Sequence, residues 1–165
     1  MDSQVRYLRT LIWLSLYAAA VHFADNVYRF DQYPEPAWMS QPLLAALLIP
    51  LVLLAHRAVD HIYNGHLERS FSLVHGLVCG HLISLGHYVF ARPSDIPLRV
   101  NLSVGLQIGM ALVLLVYALW LQLQRHPDSM RRTRRAWVKN VAMYVVLGFA
   151  LETVWPSRFV TWWME

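Results

Sequence analysis

Leu98–Leu123 reads LRVNLSVGLQIGMALVLLVYALWLQL, and its sole charged residue is Arg99. A helix needs roughly 20 mainly apolar residues to cross the hydrocarbon of a bilayer, and this run exceeds that. A segment of this kind marks a membrane protein, and the flanking sequence agrees. Working outward, further runs of spanning length stand near Tyr7–Val27, Gln41–Val59, Phe71–Phe90 and Trp137–Trp155. The expected fold is all-α: a polytopic integral membrane helical bundle of about five transmembrane helices, forming one domain over residues 1–165. Pro42 suits a first helical turn, whereas Pro50 falls mid-span and predicts a kink.

Composition points the same way. Hydrophobic residues make up 57% of the chain and charged residues 15%, far from the balance of a soluble domain. Cys79 is the single cysteine, which excludes an intramolecular disulfide and a thiolate metal cluster. The net charge of +4 does not call for nucleic acid, because the basic residues follow membrane topology. With the N-terminus in the cytoplasm, the inner side carries ten: Arg6, Arg9, Arg57, Arg69, Arg125, Arg131, Arg132, Arg134, Arg135 and Lys139. The outer side carries four: Arg29, Arg92, Arg99 and Arg158. That asymmetry is the positive-inside pattern, and it predicts a multi-pass protein of the cytoplasmic (inner) membrane. The C-terminal Trp155, Phe159, Trp162 and Trp163 then read as an interfacial anchor on the outer face. Arg6, Arg9 and Leu11–Ala20 imitate a signal peptide. The helical pattern runs on to Asn26, so we read an uncleaved first span.

The polar residues gather around one stretch, His22–Trp38, reading HFADNVYRFDQYPEPAW. On a helix, His22, Asp25, Asn26 and Arg29 share a face, since side chains three and four apart are neighbours. Ser15, Ala18 and Ala19 continue that face backwards, and Tyr33-Pro34-Glu35-Pro36 ends the helix in a loop. Ionisable groups in hydrocarbon are costly and usually face the protein interior or water. His87 near the end of the third span, Asn101 near the start of the fourth and Glu152 near the end of the fifth fall at the same membrane depth. Asn140, Tyr144, Gly148 and Glu152 form an i+4 stripe, which aims Glu152 inward.

These residues support a polar His/carboxylate pocket near the outer leaflet, binding a small ligand, a metal or a lipid-soluble substrate. His22, Glu152 and Asp25 are the candidate catalytic or proton-carrying groups. Asn26, Arg29, His87 and Asn101 are the candidate ligand-binding groups. A divalent metal would be held by His22, His87 and Glu152, residue types that suit zinc, iron or copper. No tight ligand motif such as HExxH is present.

Two other readings stand beside this one. Transmembrane b-type cytochromes hold haem between histidines, and His22 with His87 on one side and His56 with His75 on the other would suit two haems. However, His75 and His87 are separated by twelve positions, roughly 120° of rotation on an α-helix. The last reading is an accessory subunit of a larger membrane assembly. Ser72, Gly76, Gly80 and Ser84 recur every four residues, as do Asn101, Gly105 and Gly109. Such small-residue faces let helices approach closely, whether within one bundle, in self-association or against other membrane subunits. Among the remaining histidines, His56, His61 and His66 read as a solvated turn in which Asp60 pairs with His56. His81 lies mid-span and needs a partner such as Gln107, and His75 shares a face with Cys79.

Overall fold

The computed structural model describes residues 2–128. The expected fifth span at Trp137–Trp155, with Glu152, the arginine run at 131–135 and the aromatic tail, lies outside the described residues. Within them the chain is helical with no strand. Helix α1 covers Ser3–Tyr28, α2 Gln41–Tyr63 and α3 Leu67–Leu82. A 3-10 turn, Ile83–Gly86, joins α3 to the short α4, His87–Phe90, and α5 covers Leu98–Arg125.

Local chemistry sets the ends. Asp2 caps α1, its carboxylate accepting the Gln4 N–H at 3.0 Å. Ser40 caps α2 by accepting from the Leu43 N–H at 3.4 Å, with Pro42 in the first turn. The helix continues through Pro50, whose missing N–H leaves the Ala46 carbonyl without its usual partner. It also runs past the expected end at Val59 to Tyr63, so His56, Asp60 and His61 are helical and not part of a turn. Asp60 accepts from the Asn64 side chain at 3.2 Å, where pairing with His56 was expected. Gly65, at φ 74°, then reverses the chain in a conformation that side chains disfavour.

Among the described residues three helical segments are long and apolar enough to cross a membrane: Gln41–Tyr63, Leu67–Phe90 and Leu98–Arg125. Helix α1, which carries Arg6, Arg9, His22, Asp25 and Asn26, is not among them. It still shows Trp13, Leu14, Tyr17 and Val21 on its exterior. Around the bundle, α1 packs on α2 and α5, and α3 packs on α2 and α5. Leu8, Ile12, Phe71, Leu77, Leu114 and Leu121 fill the centre. Leu53, Leu102, Leu106, Val113 and Val116 remain exposed, an apolar exterior suited to lipid.

The two small-residue stripes have different roles. A Cβ at Gly76 would lie 3.7 Å from Leu54, and one at Gly80 only 2.4 Å from Leu51. That stripe lets α2 and α3 close on each other. At Gly105 and Gly109 nothing among the described residues comes within 4 Å of an added Cβ.

Candidate functional site

The site lies at one end of the bundle, where α1 finishes, α4 finishes and α5 begins. Its position depends on two irregularities. The first is the 3-10 turn before His87. A 3-10 residue advances about 120° against about 100° in an α-helix, so four of them rotate His87 roughly 80° further. With that turn in place His87 faces His22. The second is the loop after α1. The Glu35 N–H donates to the Tyr33 carbonyl at 2.9 Å, a tight turn centred on Pro34, whose fixed φ suits it. The turn directs Tyr33 and Glu35 back into the bundle, where their side chains are buried or nearly so.

His22 and His87 are 2% and 7% exposed, and their Nε2 atoms stand 3.3 Å apart. The rings meet edge to face at a centroid distance of 5.4 Å, with the Tyr33 ring against both. Nδ1 of His22 is 3.0 Å from Ser103 Oγ, and Nδ1 of His87 is 3.5 Å from Glu35 Oε1. Asn26 donates from Nδ2 to Glu35 Oε1 at 2.6 Å. Burial pushes the Glu35 carboxyl above its ordinary value, while the Asn26 bond acts in the opposite direction.

Asp25 belongs to an adjoining layer. It accepts from the Tyr33 hydroxyl at 2.7 Å and from Arg99 Nε at 3.2 Å. Arg29 Nε lies 3.3 Å from its other oxygen, an ion pair without hydrogen-bond alignment. Arg99 also donates to Gln32 at 3.0 Å, which fixes the loop to α5. The Tyr33 hydroxyl is held protonated, first by burial and then by its bond to the Asp25 carboxylate.

A cavity of about 170 Å³ opens beside the histidine pair. His22, Asn26, Glu35 and His87 give it a polar floor. Phe23, Trp38, Met39, Leu44, Leu47 and Phe90 give it apolar walls. No family model, characterised protein or solved structure matches this chain. Its chemistry is therefore read from its own geometry.

Of the residues singled out in the sequence, the structure brings His22, Asn26 and His87 together, with Asp25 and Arg29 in the next layer. Asn101 is not part of the group. Its Nδ2 donates to the Pro93 and Ile96 carbonyls at 2.9 and 3.2 Å, which anchors the loop before α5. Glu152 lies outside the described residues, and the carboxylate beside the pair is Glu35. Three further members, Tyr33, Ser103 and Arg99, come from the loop and the first turns of α5. The paired prolines around Glu35 were the one sequence signal for them, since two restrained residues hold a buried carboxylate in a fixed place.

Among the described residues, no three His, Cys, Asp or Glu side chains cluster to hold a metal ion. Nor do the histidines fit haem. Direct contact between the Nε2 atoms, with the Tyr33 ring and the Asn26 amide alongside, leaves no slot for a macrocycle between the rings. His56 is exposed, whereas His75 is buried with Nδ1 2.5 Å from the Phe71 carbonyl one turn back on its own helix. Gln107 reaches His81 as expected, but donates to its backbone carbonyl at 3.5 Å and not to its ring.

Proposed function

We propose that the chain is a single multi-pass helical domain of the cytoplasmic membrane that binds a lipid-soluble small molecule in a His/carboxylate pocket near the outer leaflet. In this reading α1 and the Trp137–Trp155 run complete a five-span bundle, and the N-terminus is cytoplasmic. The observation that supports it is the contrast within one cavity: five polar side chains, among them His22, Asn26, Glu35 and His87, line it together with eight apolar ones. Such a combination is the usual make-up of a small-molecule site. Its volume of about 170 Å³ suits a polar headgroup while the apolar remainder stays in lipid.

The roles follow from the contacts. His22 and His87 meet the polar end of the ligand. Glu35 with Asn26 fixes His87, and Asp25, paired with Arg29 and Arg99, sets the charge of the adjoining layer. If chemistry occurs it is acid–base chemistry at the imidazoles, with Asp25, Glu35 and Glu152 as the carboxylates available to it. The test is solvent extraction and mass spectrometry of the purified protein. Wild type carries a co-purifying small amphiphile, and Leu47→Trp, which fills the cavity, lacks it. Identical extracts from the two proteins would overturn the pocket.

The accessory-subunit reading keeps one specific support, the Gly105–Gly109 face of α5, which no described residue covers. Small residues of this kind let a further helix approach closely.

A further inference from the structure

The contacts of the two central histidines admit a proton arrangement that a hydrogen bond between them does not satisfy. Ser103 donates its hydroxyl proton to the Val100 carbonyl at 2.9 Å. Its oxygen is then free to accept from His22 Nδ1 at 3.0 Å. On the other ring, Nδ1 of His87 faces the Glu35 carboxylate at 3.5 Å, which favours a proton on that nitrogen too. With both protons on Nδ1, both Nε2 atoms are bare acceptors, and they face each other at 3.3 Å. Two buried lone pairs at that distance repel unless a cation lies between them. The Asn26 Nδ2 gives one N–H to Glu35 at 2.6 Å and has a second for His87 Nε2, a long contact at 3.5 Å.

We propose that His22 and His87 ligate one divalent metal ion of the zinc class through their Nε2 atoms at the floor of the cavity. Three observations support this. A tetrahedral ion with Zn–N bonds of roughly 2.0–2.1 Å sets two ligands about 3.3–3.4 Å apart, and the Nε2 atoms are separated by 3.3 Å. Each ring has its other nitrogen oriented by an oxygen, Ser103 for His22 and Glu35 for His87, as metal-bound histidines almost always do. Finally, Asn26, 1% exposed, has its Oδ1 buried without a partner beside the pair. That oxygen and water from the cavity complete the coordination, so no third His, Cys, Asp or Glu is needed. Two imidazoles favour zinc or cobalt over magnesium or calcium, which prefer oxygen.

Where the remaining coordination position points rests on the pocket reading, since it would face the bound headgroup; ion binding by the histidine pair does not. The probe is Co(II) itself, titrated into the full chain purified in detergent and stripped with a chelator. The expected result is one equivalent bound, with the intense visible bands of tetrahedral cobalt, displaced by Zn(II). His22→Ala and His87→Ala each abolish those bands. Ser103→Ala and Glu35→Gln, which keep the fold, weaken binding by roughly 10–100-fold, the usual effect of losing an orienting partner. A His61→Ala/His66→Ala double variant binds like wild type. Absence of tetrahedral bands, their survival in both single-histidine variants, or unchanged affinity in both orienting variants would overturn the proposal. Leu47→Trp separates the two readings. Cobalt bands without a co-purifying amphiphile in wild type overturn the pocket alone, and the amphiphile without cobalt bands overturns the metal alone.

Discussion

Glu35 is a carboxylate placed where hydrocarbon-facing helices meet a loop, and what it does depends on who shares its oxygens. One of them accepts from Asn26 at 2.6 Å and lies within ion-pair range of His87. Removing the side chain therefore leaves a buried amide donor unpaired, at a cost of about 1–3 kcal/mol. Glu35→Ala is expected to lower unfolding stability in detergent by that amount. Glu35→Gln keeps an amide oxygen for the same donor and should cost well under half as much. Equal losses would show that shape, and not the hydrogen bond, holds the loop. None of this could be seen in the residue list alone. His22, Asp25, Asn26 and Arg29 are legible because helical spacing fixes their shared face. Glu35 sits in a loop, where spacing carries no such information.

At the scale of the element, the bundle closes because α3 can approach α2 at Gly76 and Gly80. Leu51 already occupies the space a Cβ at Gly80 would take. Gly80→Leu is expected to destabilise the fold by about 1–3 kcal/mol or more through overpacking, read as a lower unfolding midpoint. Gly105→Leu should leave that midpoint unchanged, since nothing among the described residues lies within 4 Å of the added Cβ. If it instead disrupts a co-purifying complex, the accessory reading gains. The same third span shows why a periodic argument can fail. Rotating His87 by counting residues assumes one continuous α-helix. The 3-10 turn at Ile83–Gly86 breaks that assumption, so residue counting alone does not give the direction of His87.

For the whole molecule, the two ends of the bundle differ in kind. One end has the site. The other is fastened by exposed contacts, with Arg125 on Asp2 and Gln4, Arg9 on Tyr63, and the Tyr117 hydroxyl on the Gln4 carbonyl at 2.9 Å. The proposed orientation puts the first end outside and the second in the cytoplasm. Cysteines at Ser94, in the loop before α5, and Asn64, in the α2–α3 turn, report on it because both positions are exposed. In intact cells an impermeant maleimide is expected to label Ser94→Cys and spare Asn64→Cys. The native Cys79 is buried and should stay silent. The opposite labelling pattern would reverse the topology and move the pocket to the inner leaflet.

The sequence by itself determined that the described chain is helical with runs long and apolar enough to cross a membrane, because in lipid such runs leave a backbone few other ways to satisfy its polar groups. It also determined that polar residues cluster at the end of the first helix. Only the tertiary structure decided which carboxylate joins the histidines, that Asn101 serves a loop, and that Ser103 and Tyr33 complete the network. Those outcomes depend on a 3-10 turn and a proline-set loop, whose directions follow from packing and not from any residue period.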